Sequence, residues 1–235
     1  MSADAPRVEV PDSALAAHPE TAYFWGCVAG SGDLTESCVR VETTDEAAAE
    51  RLAAVAGGAQ TETDHRVRER EYAHDTSITR REDEYTVQVF GGLAERAAAA
   101  FGLPIDGAAG GYRLDAFEGH ERQLLRGLVE SCGTVCFKSS SGTVGLSFVH
   151  EDRALLETVQ SLLDDAPPDA PRGDLSDASS GYYFSVEDDA VPELGAWLYE
   201  GSTDSGLFAP SRRRKLRRSL EQAEDVDATL EGAES

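Results

Sequence analysis

The chain has 235 residues, 40% of them hydrophobic, with 44 acidic against 21 basic side chains and a formal net charge of −23. That length holds one large domain, or two small fused ones, around a packed core. No apolar run reaches the roughly 18 residues of a membrane span, and residues 1–13 (MSADAPRVEVPDS) have neither a basic nor an apolar signal region, so the reading is a soluble, cytoplasmic protein with no membrane partner.

Residues 1–18 are polar, carry Pro6 and Pro11, and read as a mobile lead-in. A helix follows over 20–30, with Pro19 suited to its first turn. Val39 and Val41 alternate with Arg40 and Glu42, the pattern of a short strand. Residues 45–58 read as a helix capped by Asp45 and ended by Gly57 and Gly58. Two strands, 62–74 and 84–90, flank a charged turn. Another helix spans 93–104, stopped by Gly102 and Pro104. The order then recurs. Residues 120–131 are helical, and 134–149 form a hairpin turning at Ser140–Gly142. Residues 151–165 carry Leu155, Leu156, Val159, Leu162 and Leu163 on one helical stripe. A linker (166–181), a strand (182–186), a helix (190–201) and a basic-to-acidic helix (211–226) complete the chain. Duplication of a unit of about a hundred residues explains this order. The boundaries are a lead-in (1–18), a first repeat (19–115), a second repeat with a basic C-terminal segment (116–222) and an acidic tail (223–235).

Lys138 and Lys215 are the only lysines. Abundant Asp and Glu with almost no Lys resembles proteins of salt-loving archaea. At about 1 M salt the Debye length is only ~3 Å, so overall charge repulsion is screened and local contacts decide binding. The acidity therefore reads as a solubility adaptation. The four cysteines, Cys27, Cys38, Cys132 and Cys136, contain no CxxC pair, and buried free thiols are preferred over a zinc site.

One local pattern occurs in both halves. FWGCVAGSG (24–32) and LRGLVESCG (125–133) each run as a helix into a closing glycine. These stretches resemble the paired LAGLIDADG motifs of homing endonucleases. Trp25, Gly26, Gly30, Ser31 and Gly32 stand at the second, third, seventh, eighth and ninth letters. Leu125 to Gly133 fill all nine in the second copy. The resemblance implies an α+β fold: a pseudo-two-fold, duplicated αββαββα unit within one monomer, its two motif helices packed together. Gly26 and Gly30, like Gly127 and Ser131, lie one turn apart on one helix face, where small residues let two backbones approach.

In active members of that family the eighth letter is an acid, and one from each half holds divalent metal beside the scissile phosphates. Here the positions hold Ser31 and Cys132. A hydroxyl is a poor substitute, and a thiol is too soft for Mg²⁺. The nearest acids are Asp33 and Glu130, but a two-residue shift rotates a helical side chain by about 200°. The expectation is loss of metal-dependent cleavage and no cofactor, with Mg²⁺ needed only if Asp33 and Glu130 sustain a residual nuclease.

The family binds DNA with its strands, which makes double-stranded DNA the expected partner. HRVRERE (65–71) places Arg66, Arg68 and Arg70 on one strand face, as a phosphate- or guanine-reading ribbon requires. A second reading stays open, in which these arginines pair with nearby acids such as Glu82 and Glu84. Lys138 is the sole cation of the second hairpin. The densest basic run, Arg212, Arg213, Arg214, Lys215, Arg217 and Arg218, is expected to contact phosphates, the alternative being pairing with acidic neighbours. Three functions follow: a catalytically silent DNA-binding protein with a regulatory or architectural role, a residual DNA endonuclease, or a scaffold repurposed for a partner other than DNA.

Overall fold

The computed structural model describes residues 13–57, 60–72 and 75–233. Its first half runs α1 (Pro19–Ser31), β1 (Gly32–Thr35), β2 (Cys38–Thr43), α2 (Glu46–Ala56), β3 (Thr61–Tyr72), β4 (Asp75–Phe90) and α3 (Leu93–Phe101). The second runs α4 (Glu121–Ser131), β5 (Gly133–Lys138), β6 (Thr143–His150), α5 (Arg153–Asp164), β7 (Ser176–Ala178), β8 (Gly181–Val186) and α6 (Val191–Tyr199). The short α7 (Ser202–Ser205) and the long α8 (Pro210–Ala233) follow. Each half holds a four-stranded antiparallel sheet, with orders β1-β2-β4-β3 and β5-β6-β8-β7. The orders match position for position, which is the duplicated α+β arrangement expected from the motif.

Strand alternation sorts each sheet into two faces. In the first, Leu34, Val39, Val41, Val87 and Val89 are buried beneath the helices. In the second, Val144, Leu146, Phe148, Phe184 and Val186 are buried in the same way. Between the halves, α1 packs on α4. Helix α1 is buried from Glu20 to Gly30, and Trp25, at the second motif letter, is wholly enclosed. A helix apolar all round belongs at the centre of a protein.

Several boundaries differ from the sequence reading. Strand β4 begins at Asp75 rather than at 84, pairing with β3 along its length. Val67 there is 55% exposed, so burial imposes no alternating pattern to be read. Strand β1 was absent from the reading because it buries only Leu34. The expected linker contains β7. Helix α8 runs on to Ala233, into the expected tail. Of the expected mobile lead-in, residues 1–12 lie outside the described residues, while 13–18 are docked: Ala14 accepts a 2.7 Å hydrogen bond from Trp25 Nε1, and Leu15 packs on the core.

Two aspartates tie the halves to each other. Asp45 Oδ1 caps α2 by accepting from Ala48 N–H, and Oδ2 accepts from Ser211 N–H at the start of α8, 2.7 Å away. Asp152 Oδ1 caps α5 through Ala154 N–H, and Oδ2 accepts from Tyr112 Oη at 3.0 Å, in the segment that leaves the first half. The N-cap of one half thus holds the chain departing from the other.

Candidate functional site

The motif glycines meet at the α1–α4 contact. A Cβ on Gly26 would overlap the Leu124 carbonyl oxygen and sit 3.2 Å from Gly127 Cα. One on Gly127 would overlap the Tyr23 carbonyl and lie 2.8 Å from Cys27 N. The obstacles are backbone, so only glycine allows this approach. Further along, Gly30 faces Ser131 and Cys132. Ser131 Oγ lies 2.7 Å from the Gly127 carbonyl of its own helix and 3.4 Å from the Gly26 carbonyl across the pair. The structure thus brings Gly26, Gly30, Gly127 and Ser131 into one contact.

The two eighth-letter side chains lie at the ends of these helices, and both turn inward. Ser31 Oγ donates toward the carbonyls of Cys27 (3.3 Å) and Glu42 (3.2 Å). Cys132 Sγ donates to the Leu128 carbonyl at 3.3 Å, and burial pushes its thiol pKa up to about 12. The fallback acids do not converge. Asp33 is exposed on β1, opposite Arg40 on the helix-free face of the first sheet. Glu130 is 7% exposed inside the protein, where Oε2 accepts from Tyr23 Oη (2.7 Å) and Ala209 N–H (2.8 Å). Burial raises its pKa to about 7, against Tyr23, Ala209 N–H, Tyr199 and the Arg126 charge, which favour the carboxylate. A hydroxyl bonded to carbonyls, a buried thiol and two divergent acids do not compose the hard oxygen set that Mg²⁺ takes. Among the described residues, no group of three His, Cys, Asp or Glu side chains is gathered as metal ligands.

The helix-free faces of the two sheets differ in charge. On the first, register puts Arg40, Arg66 and Arg68 among Asp33, Glu42, Glu62, Asp64, Glu82 and Glu84. Arg40 pairs with Glu42 (2.5 Å), Arg66 with Asp64 (3.0 Å) and Arg68 with Glu84 (2.9 Å). Arg70 lies further along β3, in register with Arg80. Among the described side chains, this face has an acidic surplus. The second face carries Thr134, Cys136, Lys138, Thr143, Ser147, Val149, Tyr183 and Ser185, while the acid on its strands, Asp177, is in register with Tyr182 on the opposite face. Lys138 Nζ is held by Asp188 at 2.7 Å, from beyond β8.

Helix α8 lies along β5, the edge strand, with Leu216 buried against Gly195 of α6. Its cations separate by role. Arg213 stacks on Phe208 and donates to Thr203 Oγ1 at 2.8 Å. Arg217 faces Glu221 at 3.4 Å. Arg212 is half-buried, and its charge acts on Cys132 and Tyr199. Arg214 and Lys215 are exposed and line a cleft of roughly 450 Å³ between α8 and β5, together with Arg218.

The sequence matches a family described as "Putative archaeal homing endonuclease", a LAGLIDADG family, over residues 1–226. The chain belongs to the LAGLIDADG homing endonuclease family. Among solved structures, this LAGLIDADG chain is similar to the homing endonuclease I-WcaI bound to its DNA recognition sequence, with TM-score 0.58, 11% identity, and 86% of this chain and 87% of that one covered. That likeness supports the fold. Full-length DUF199/WhiA from Thermatoga maritima also matches, with TM-score 0.49, 13% identity and 96% and 68% coverage. I-DmoI in complex with DNA and Mn matches with TM-score 0.46, 15% identity and 82% and 98% coverage. No curated protein sequence matches the chain. Among the described residues, no helix is long and apolar enough to cross a membrane.

The reading of the LAGLIDADG motif missed one internal residue of consequence. Arg126, at the second letter of the second copy, is 1% exposed. It donates to the carbonyls of Leu198 (2.6 Å), Leu207 (2.7 Å) and Glu200 (3.5 Å) around the end of α6. A charge amid apolar motif letters, in LLRGLV, was the available signal. What it holds lies some seventy residues away in sequence, beyond the reach of local pattern.

Proposed function

We propose that this LAGLIDADG protein binds duplex DNA without cutting it, in a regulatory or architectural role. The observation that carries the reading is the pair of eighth-letter side chains, Ser31 and Cys132, both closed onto backbone carbonyls of their own helices. A thiol held protonated is soft, and a neutral hydroxyl is a weak ligand, so neither supplies the anionic hard oxygen that a cation such as Mg²⁺ takes. DNA as partner is supported by family membership and by the likeness to I-WcaI bound to its DNA recognition sequence. The sparse lysine and net charge of −23 fit a salty, haloarchaeal cytoplasm, in which a monomer of this kind works at high ionic strength. The test pairs a gel shift on duplex DNA in molar KCl with incubation of a DNA library with Mg²⁺ or Mn²⁺. Binding without cleavage is expected. Cleavage lost on Asp33→Ala or Glu130→Ala would replace this reading with the residual endonuclease.

A second reading, a scaffold for a partner other than DNA, is favoured by the first sheet alone. Its described arginines are paired with acids, and the acidic surplus repels phosphate. Absence of any duplex shift across a KCl series would favour it.

A further inference from the structure

We infer that nucleic acid is held asymmetrically, its phosphate backbone engaged by the cleft between α8 and β5, and that the first sheet does not take part. This rests on the DNA-binding reading above. In a symmetric saddle both sheets would present cations. Here the described side chains of the first face have an acidic surplus, and among them Arg40, Arg66 and Arg68 already have carboxylate partners. The second face is uncharged apart from Lys138, itself paired with Asp188.

The cleft is different. Arg214, Lys215 and Arg218 line it, with no acidic residue among its described lining. No ion pair to these three occurs among the described residues, in a chain whose other exposed cations are largely paired. Ser211, Ser219 and Gln222 add polar groups to the lining. Arg214 and Arg218 are four residues apart, so both project from one side of α8. Leu216 is buried and fixes the helix on its other side. The cleft also reaches Cys136, which is exposed and lies on the helix-free face of the second sheet, next to Thr134 and Lys138. A backbone crossing that face would therefore meet the three cations at the edge strand. Guanidinium and ammonium groups that lack carboxylates, among hydroxyl and amide donors, match phosphate oxygens.

The test compares three full-length proteins on a short mixed-sequence duplex over a KCl series: wild type, Arg214→Glu/Lys215→Glu/Arg218→Glu, and Arg66→Glu/Arg68→Glu. The cleft variant changes only exposed side chains, and an unchanged circular-dichroism melt checks its fold. Its affinity should fall at least about tenfold, and its salt slope should lessen by about three, one for each lost phosphate contact. The strand variant should bind as wild type does. Duplex should also protect Cys136 from thiol reagents in wild type, and polyglutamate should not. Equal binding by the cleft variant and wild type would overturn the asymmetric site while leaving DNA binding in place. Equal protection by polyglutamate would overturn it in favour of an acidic protein partner. No binding by wild type would overturn both readings.

Discussion

Glu130 makes the stability of this protein depend on pH in a direction opposite to that of most carboxylates. It is enclosed among Tyr23, Cys27, Tyr199 and Arg126, and burial holds its pKa at about 7 against 4.5 for an unperturbed glutamate. Below pH 4.5 both folded and unfolded states carry the proton. Between 4.5 and 7 the unfolded chain has released it and the folded protein has not, so the folded state is the one that binds more protons and stability falls as pH rises. Each pKa unit is worth 1.36 kcal/mol, so the whole window costs about 3 kcal/mol by pH 8. Glu130→Gln removes the titration. Other carboxylates titrate in both proteins and cancel in the difference. Urea denaturation at pH 4.5 and pH 8, in constant molar KCl, should show the stability of the variant relative to wild type rising by about 3 kcal/mol. Gln leaves an amide N–H₂ without a partner, which shifts that difference by a constant at both pH values. A difference that stays flat with pH would refute the burial argument.

Gly26→Ala should destabilise the fold by about 1–3 kcal/mol, because two backbones must part, although alanine is intrinsically better in a helix by about 1 kcal/mol. Gly111→Ala, where a Cβ meets nothing within 4 Å, should be near neutral in the same denaturation assay. Arg126→Met should cost about 3 kcal/mol or more, since three carbonyls around the end of α6 lose their donor. It should also raise the Glu130 pKa further by removing the cation that favours its carboxylate, visible as a larger total loss of stability that continues to higher pH. In a thiol-reagent time course, Cys136 should react at once and Cys38 later. Cys27 and Cys132, buried with raised pKa values, should react only on unfolding.

How much was legible in the sequence depended on whether burial left a pattern. The motif helices were legible because Gly26 and Gly127 carry a backbone requirement that no other residue meets. The stripe Leu155–Leu163 was legible because one helix face meets a sheet. The far ends of β3 and β4 were not, since polar residues on both faces erase the alternation that marks a strand. The same limit governed the candidate site. Arg66 and Arg68 on one face could be read from a period of two. Their partners Asp64 and Glu84 depended on side-chain geometry and hairpin register, and that left both readings of the strand open. The divergence of Asp33 and Glu130 was half legible: helical rotation argued against Glu130, but the strand that carries Asp33 was itself unread.

The two aspartate caps at Asp45 and Asp152 bear on how the halves could be separated. Each receives a length of chain that its own half does not supply. A half expressed alone would lose its neighbour's strap as well as its neighbour's helix, leaving the glycine faces of α1 or α4 bare. A chain cut between the halves, in the 107–111 stretch, would carry Tyr112 and Asp152 on one piece and leave the Asp45–Ser211 contact available between the two. The cut protein would behave as a two-piece complex that survives gel filtration, whereas neither piece would persist by itself. Covalent continuity then serves to keep two pieces that need each other at equal number.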